Sequence, residues 1–293
     1  MLEAVGEVKY TFIRKSTENY SVKLLCDLLK VSRQAYYDWL KRGKSNRAID
    51  SEILIEDIRK IYAEFKGRYG SPRIALELCR RGKFTSKNRV ARHMQQVGLA
   101  ALPWRKKKVM SRKPSAEGIA ENLVKRVFDT KTKHILWVGD ITYIPLQTGG
   151  FLYLAVWIDV FSRKVVGWAM QTRMTDQLVI EAFKQAIHKE HPPVGLMIHT
   201  DRGSQYTSRR FQAIVKSYGA MISMSRRGNH YDNAVMESFY KTLKRELMHD
   251  TKFGNAEEAK RAIFEYIEMF YNTKRMHSAL GYKTPVEYEL QSK

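Results

Sequence analysis

Three short runs in the second half of the chain are rich in apolar, β-branched and aromatic residues. They span residues 135–144, 151–160 and 163–170, with a Thr-Gly-Gly turn at 148–150. Runs of this composition and length indicate β-strands, and the short connections between them predict an antiparallel meander.

Helical and strand patterns alternate after the meander. We expect a helix over about residues 175–189, a strand that ends at Asp201, a helix around 211–218, a short strand at 221–225 and a long helix through Glu237. Meander strands pair antiparallel, whereas helical crossovers produce parallel neighbours. The order therefore predicts an α/β domain with a mixed five-stranded sheet flanked by helices, as in the ribonuclease H-like fold.

The first half of the chain has helical periodicity instead. Residues 20–40 predict two short helices joined by a tight turn, a helix-turn-helix pattern in which Ser32 caps the second helix. Arg33 and Gln34 would lie at the exposed start of that helix, where they could contact a DNA major groove. The alternative is an ordinary helical hairpin in a basic protein.

A second helical block covers residues 51–99, with helices opening at Ser71 and Ser86 and a stop at Gly98. Its third helix is amphipathic and has a basic outer face that includes His93. The block is either a second DNA-binding module or a packing domain with a solvated, charged face.

These patterns divide the chain into four segments. We expect a helix-turn-helix-like region over residues 1–48, a second helical module over 49–103 and a basic linker over 104–125. The remaining segment, 126–293, would be the catalytic domain with a C-terminal helical part.

The charge balance indicates the kind of partner. Lys and Arg number 52 against 30 Asp and Glu, which gives a formal net charge of +22. Solubility does not require so large an excess, so a polyanion is expected. No apolar run approaches the ~20 residues of a spanning helix, and no signal peptide opens the chain. Nucleic acid in the cytoplasm is therefore favoured over a membrane.

The predicted linker concentrates this charge in Arg105, Lys106, Lys107 and Lys108. A basic, proline-bounded segment without apolar periodicity is suited to lie along DNA phosphates. A plain solvated linker is the alternative, since a run of charges needs no partner.

Cys26 and Cys79 are the two cysteines of the chain, and each lies inside a helical apolar pattern. We expect both to be buried as small hydrophobic residues. Two separated cysteines can build neither a disulfide framework nor a Cys-x-x-Cys zinc site.

Three carboxylates stand out by their context. Asp140 interrupts an otherwise apolar strand, Asp201 follows the apolar residues of the fourth strand, and Glu237 lies on the long helix. Neighbouring strands could place the two aspartates side by side. Converging carboxylates repel one another unless cations lie between them, so their closeness would indicate a metal site. Magnesium prefers such oxygen ligands, and no Cys/His cluster offers the usual zinc alternative.

The sequence blocks around these carboxylates resemble a known family. WVGDITYI, HTDRGSQY and DNAVMESFYKTLKREL resemble the catalytic blocks of DDE transposases of the insertion-sequence-3 family, which are relatives of retroviral integrases. Residues 271–288, YNTKRMHSALGYKTPVEY, resemble the closing segment of that family, and the helical first half resembles its amino-terminal region. The resemblance implies an integrase catalytic core with Asp140, Asp201 and Glu237 as its acidic triad.

The resemblance also implies a reaction and its partners. A transposase of this kind would cleave and join double-stranded DNA by direct transesterification at its terminal inverted repeats and at a target. Two Mg²⁺ ions, for which Mn²⁺ would substitute, would be held with Asp140 bridging both and Asp201 and Glu237 each binding one. Self-association on DNA, a partner leucine-zipper protein from an upstream reading frame and a bacterial, nucleoid-associated location are further expectations.

Other polar residues near the triad have two interpretations each, a DNA contact or an ordinary structural role. Lys241 and Lys244 follow Glu237 by four and seven residues and would share its helix face. The resemblance implies that they contact the DNA end, whereas a simple ion pair of Glu237 with Lys241 is the alternative. His230, in the loop before this helix, would contact DNA or be solvent-exposed.

The remaining candidates are more ambiguous. Asp159 ends the second strand, where an aspartate that initiates a turn is a more ordinary explanation than a metal ligand. Asn272, Arg275 and His277 match the closing motif, but residue type does not separate substrate contact from stabilising hydrogen bonds.

Two other functions remain open. One is a structure-selective nuclease of the same fold, in which Glu181 on the first helix would supply a further carboxylate. The other is a DNA-binding regulator whose catalytic domain serves only as a scaffold, an interpretation that the intact triad disfavours.

Overall fold

The computed structural model describes residues 2–42, 45–103, 119–124, 130–226, 234–249 and 252–291. The chain divides into two compact units, Met1–Leu99 and Ala100–Lys293. No helix among the described residues is long and apolar enough to cross a lipid bilayer.

The first unit is helical. Serine side chains at the N-caps accept a hydrogen bond from the first turn of several helices, and the predicted cap of α3 by Ser32 is confirmed. The helices are α1 (Leu2–Ser16), α2 (Val22–Leu29), α3 (Arg33–Lys41), α4 (Asn46–Glu64), α5 (Ser71–Arg80) and α6 (Lys87–Gln96).

The pattern did not predict helix α1, although this helix completes the core of the helix-turn-helix pair. Ile13 of α1 is fully buried and packs with Leu25, Cys26 and Tyr36 of α2 and α3. Two helices of eight or nine residues bury little apolar surface by themselves. The third helix is therefore what gives them a common core.

Two expectations for the first unit are wrong. Cys79 is exposed, whereas Cys26 is buried as expected. His93 is not on the outer face of α6 but is buried, with Nδ1 3.2 Å from Oε1 of Gln96. Both errors come from assigning residues to helix faces before the packing partners of those faces are known.

The second unit contains the predicted mixed sheet, with strand order β3-β2-β1-β4-β5. Strands β1 and β2 and strands β2 and β3 pair antiparallel, while β4 pairs parallel with both β1 and β5. The strands are β1 (Leu136–Pro145), β2 (Phe151–Asp159), β3 (Val165–Gln171), β4 (Met197–Thr200) and β5 (Met221–Met224). The predicted meander and the two parallel additions are thus confirmed.

Helices flank this sheet and also form the segments that follow it in the sequence. The π-helical segment Glu265–Tyr271 continues α11, and a 3₁₀ turn, Ser278–Leu280, precedes α12. The α-helices of the second unit are α7 (Asp176–Glu190), α8 (Ser204–Thr207), α9 (Arg209–Ser217), α10 (Ala234–Leu247), α11 (Ala256–Phe264) and α12 (Pro285–Gln291).

Close packing of α7 on the sheet depends on Gly167 in β3. A Cβ atom at this position would lie 2.5 Å from the Cβ of Ala186 in α7. On the same face, the Trp157 ring of β2 stacks on Phe211 of α9 with centroids 6.1 Å apart. These large buried side chains form the core on which the sheet rests.

The closing segment binds strand β3 and helix α10 through buried polar contacts. Asn272 pairs with the main chain of Val165, accepting from its N–H at 2.9 Å and donating to its C=O at 3.0 Å. Arg275 donates through Nε and Nη2 to the carboxylate of Glu246 on α10, at 2.8 to 3.1 Å. Nη1 of Arg275 lies 3.3 Å from Nε2 of His277. These contacts give all three closing-motif residues a structural role.

Arg275→Ala is expected to lower the free energy of unfolding by about 3–5 kcal/mol, because Glu246 would remain as a buried charge without this partner. The measurement is urea unfolding followed by circular dichroism. Lys260→Ala is the control, since it removes a solvent-exposed pair with Glu257 at 2.9 Å and should cost less than about 1 kcal/mol. Equal losses for the two variants would contradict a stabilising role for the buried pair.

Candidate functional site

The register of β1 on β4 places two of the three candidate carboxylates at the same level of the sheet. The parallel ladder pairs Leu136 with Met197 and ends with Val138 opposite His199. Two residues further along each strand are Asp140 and Asp201. Asp201 lies immediately after β4, at its carboxyl end, as the sequence predicted.

The glycine before Asp140 allows β1 to pack directly against a tryptophan ring of β2. Gly139 pairs with Trp157 of β2, whose ring covers it so closely that a Cβ atom would lie 2.5 Å from the ring. A larger residue would displace either the tryptophan or β1. The residue before Asp140 is therefore limited to glycine by the core beneath it.

Helix α10 contributes the third carboxylate. Glu237 is in its first turn, and its charge acts on Asp140 together with that of Asp201. One helical turn later, the buried hydroxyl of Tyr240 donates a 2.5 Å hydrogen bond to the main-chain oxygen of Asp140. The structure thus brings Asp140, Asp201 and Glu237 into one electrostatic site.

Repulsion and burial dominate the electrostatics of this site. The pKa of Asp140 is raised to about 8, first by desolvation and then by the charges of Asp201 and Glu237, while the N–H of Ile141 and the charge of Lys244 lower it. Desolvation also raises the pKa of Asp201, against a hydrogen bond from the N–H of Gly203. Asp140 therefore holds a proton at neutral pH unless a cation replaces it.

The three carboxylates fit a divalent cation by their chemistry, although they do not yet surround one position. Across the described part of the chain, no three His, Cys, Asp or Glu side chains are already arranged around one ion position. Glu237 instead accepts from Nζ of Lys241 at 3.3 Å. The chemistry nevertheless fits, because three mutually repelling carboxylates are the oxygen ligands that Mg²⁺ takes and a cation would relieve the repulsion that raises the pKa of Asp140.

The two lysines on α10 differ in their surroundings. Lys241 is exposed and pairs with Glu237, as in the simple helix-pair interpretation. Lys244 is half-buried, and its ammonium lies 5.2 Å from the centroid of the Tyr143 ring while lowering the pKa of Asp140. Lys244 is thus close to the carboxylates, and Lys241 extends from the edge of the site.

The other predicted DNA contacts belong to the first unit or fall outside the described residues. Arg33 and Gln34 are exposed at the start of α3 in the first unit, where Gln34 donates to Oδ1 of Asp38 at 3.1 Å. Other candidates lie outside the described residues; these are Arg105, Lys106, Lys107, Lys108 and His230.

Two further carboxylates are engaged elsewhere. Asp159 is fully buried at the far end of β2, where it accepts hydrogen bonds from the N–H groups of His134 and Phe161 and from the Trp137 indole. This environment supports the interpretation of Asp159 as a turn residue. Glu181 on α7 accepts from the side-chain amides of Gln171 and Gln177 at 2.8 and 2.9 Å.

Sequence reasoning missed two tyrosines beside the carboxylates. Tyr206 and Tyr240 are buried, and desolvation together with the charges of Asp140 and Asp201 raises the pKa of both well above the usual tyrosine value. The spacing of Tyr240, three residues after Glu237, was the available signal, since it places both on one side of α10.

Comparisons with known proteins agree with this architecture. A family model described as "Integrase core domain" matches residues 131–230, and a second of the same description matches 237–292. A model described as "HTH-like domain" matches residues 49–108, which include the second predicted helical module.

Curated relatives align over nearly their full length. The chain is 50% identical over 250 residues, 85% of this chain and 98% of the relative, to the transposase for insertion sequence element IS904 of Lactococcus lactis. It is 37% identical over 284 residues, 96% of this chain and 98% of the relative, to the transposase InsF for insertion sequence IS3A of Escherichia coli.

Solved structures also match part of this chain. One is the HTLV-2 integrase catalytic core domain in complex with magnesium, with a TM-score of 0.40, 23% identity, and coverage of 54% of this chain and 97% of that chain. The fold assignment rests on the strand order and pairing described above rather than on this similarity.

Asp140→Asn is expected to remove a pH dependence of stability. Because the pKa of Asp140 is about 8 in the folded state and near 4 when unfolded, the folded state binds more protons between these values, and stability falls as pH rises through that window. The variant should be more stable than wild type at pH 8, by on the order of a few kcal/mol, and similar to it near pH 4.

The measurement is urea unfolding at pH 5 to 8.5 in the presence of a chelator. Glu257→Gln, at a side chain that is 77% exposed, is the control and should keep the wild-type slope. Parallel curves of stability against pH for Asp140→Asn and wild type would show that burial does not shift the pKa of this carboxyl.

Proposed function

This chain belongs to the insertion-sequence-3 family of DDE transposases, and from this premise we propose that Asp140, Asp201 and Glu237 are its catalytic triad. The chain is a polynucleotidyl transferase that acts on DNA. The observation that supports the triad is geometric: the β1–β4 register puts Asp140 and Asp201 at one level of the sheet, and the helix turn that bears Glu237 is bonded to the Asp140 main chain through Tyr240.

The triad would hold divalent cations, Mg²⁺ with Mn²⁺ as a substitute. Two bound ions would supply the activation of an attacking water or 3′-hydroxyl and the stabilisation of the departing 3′-oxygen in an in-line displacement. Asp140 would have to lose its proton first, so binding at neutral pH releases a proton to solvent.

The two buried tyrosines described at this site are poor covalent nucleophiles. In direct transesterification, the oxygen of a DNA 3′-hydroxyl bonds to phosphorus while the bond from phosphorus to the departing 3′-oxygen breaks, so the protein carries no intermediate. Tyr206 and Tyr240 lie beside the carboxylates, and their raised pKa keeps them protonated. A tyrosine-recombinase mechanism is therefore disfavoured.

DNA binding would use basic residues of both units. Lys244 is the best-supported contact, because it lies beside the carboxylates and can neutralise a phosphate brought to them. Lys241 would have to exchange its pair with Glu237 for a phosphate. Arg33 and Gln34 stay predicted groove contacts. The basic linker residues and His230 stay predictions outside the described residues.

The nuclease alternative has little support in this geometry. Its further carboxylate, Glu181, is bound by two glutamine amides, and it is not among the charges that act on Asp140. Its engagement favours a structural role, and the relatives that are transposases favour strand transfer.

The proposed reaction requires the chain to assemble with DNA and with other protein chains. Two transposon ends must be paired for coordinated joining, so we propose self-association on the double-stranded terminal inverted repeats and the target. A leucine-zipper protein from an upstream frame, and association with the bacterial nucleoid through DNA binding, also stay proposals.

Glu237→Gln is expected to reduce strand transfer by at least about 10³-fold while leaving DNA-end binding nearly unchanged, because the amide removes one anionic ligand and keeps the shape of the side chain. The assay incubates the protein, Mg²⁺ and a labelled transposon end with target DNA and resolves the products on a denaturing gel. Joined products indicate a transposase, cleavage without joining indicates a nuclease, and a mobility shift alone indicates a regulator.

Glu181→Gln is the matched control, since it makes the same chemical change on α7. It should keep wild-type transfer. Wild-type rates for Glu237→Gln would refute the assignment of the triad, and a large loss for Glu181→Gln would support the nuclease-type carboxylate set.

Lys244→Glu is expected to weaken binding of the transposon end and to reduce the slope of log affinity against log salt concentration by roughly one phosphate contact, about 0.9. Fluorescence anisotropy at several salt concentrations measures this slope. Lys260→Glu on α11 makes the same charge change at an exposed pair and is the control. Identical salt slopes for the two variants would argue against a phosphate contact by Lys244.

A further inference from the structure

One hydrogen bond links the helix that bears Glu237 to the strand that bears Asp140. The Tyr240 hydroxyl donates to the main-chain oxygen of Asp140 at 2.5 Å, and the tyrosine is buried with 7% of its surface exposed. Tyr240 follows Glu237 by three residues, so both lie on one side of α10. The bond therefore connects strand β1 to helix α10, and the relative position of these two elements sets the distance between the Asp140 and Glu237 carboxylates.

This bond occurs where β1 lacks support from β4. The parallel ladder ends with Val138 opposite His199, and β4 itself ends at Thr200. Asp140 lies two residues beyond the last paired position of β1 in that ladder. A rigid phenol from α10 supplies a contact to the strand at this level.

Neighbouring packing limits the movement of the phenol. Phe239 contacts the Tyr240 ring with centroids 5.4 Å apart, and Met236 and Leu243 of the same helix are fully buried. One turn beyond Tyr240, Lys244 lies over Tyr143 of β1. The helix therefore contacts β1 at two levels, and the Tyr240 contact reaches the main chain of a triad residue.

We propose that Tyr240 is a positioning residue, whose hydrogen bond to the Asp140 main chain sets the separation of the Asp140 and Glu237 carboxylates for divalent-cation binding. The inference rests on the proposed function of the triad. Tyr240 touches neither substrate nor ion in this role. It acts by holding the Asp140 carboxylate at one distance from α10, because pre-set ligand geometry is a large part of metal affinity.

The test is Tyr240→Phe in the full chain, which removes one hydroxyl and keeps the ring. The metal alone is the probe, with Mn²⁺ binding without DNA followed by calorimetry and by the electron paramagnetic resonance of free Mn²⁺. The dissociation constant for Mn²⁺ is expected to rise about 10- to 100-fold. Strand transfer should require correspondingly more Mn²⁺ and should recover in part when the metal is raised.

Tyr266→Phe is the matched control. It removes a buried tyrosine hydroxyl that donates to Glu246 Oε2 at 2.9 Å, near the other end of α10. It should lower the unfolding midpoint about as much as Tyr240→Phe does and should leave Mn²⁺ affinity at the wild-type value. Equal Mn²⁺ affinities for Tyr240→Phe and wild type, or equal losses in both variants, would overturn the positioning role.

Two further variants separate this inference from the proposed function. Asp140→Asn should lose Mn²⁺ binding; if it binds Mn²⁺ as wild type does, the proposed metal site itself is wrong. If Asp140→Asn loses binding and Tyr240→Phe does not, the positioning inference alone fails. Tyr240→Met keeps apolar volume without a donor and should repeat the Tyr240→Phe result. Failure of both Tyr240 variants to fold would make Tyr240 a requirement of the fold and would also overturn the proposal.

Discussion

Repulsion among the three carboxylates is the constraint on which the second unit depends. Desolvation and the charges of Asp201 and Glu237 together raise the pKa of Asp140 to about 8, so ionising Asp140 without a cation costs free energy and the cation-free site retains a proton near neutral pH. The free energy that keeps these groups together must come from elsewhere in the domain. The apolar core beneath β1 and β2 is the largest source, because it fixes the strands regardless of what their polar side chains prefer.

Helix α10 is where this constraint acts most directly, since the sheet does not contain Glu237. The helix is held near its start by the bond from Tyr240 to Asp140 and near its end by the buried pair of Glu246 with Arg275. Asn272, three residues before Arg275, pairs with the main chain of Val165 in β3. The closing segment therefore connects the far edge of the sheet to the end of α10.

The sequence pattern predicted the strands and helices whose formation depends on neighbouring residues. Alternation of residue types and turn signals gave the meander, the two parallel strands and the carboxyl-end position of Asp201, because strand pairing and crossover rules leave few arrangements for such an order. The sequence could not give the roles of Asn272 and Arg275, because their partners Val165 and Glu246 are far away along the chain. The burial of His93 was missed because its helix face was assigned before the packing partners of that face were known.

Tyr240 illustrates the remaining limit. Its spacing from Glu237 is readable in the sequence, but its acceptor is a main-chain oxygen, and a main-chain oxygen has no residue type to recognise. A sequence motif is defined by side chains, so a hydrogen bond to the main chain leaves no signature in it. Hydrogen bonds to the main chain are well suited to a site whose side chains repel one another. A neutral phenol that binds the backbone fixes the position of Asp140 without adding charge to the carboxylates or competing with a cation for their oxygens.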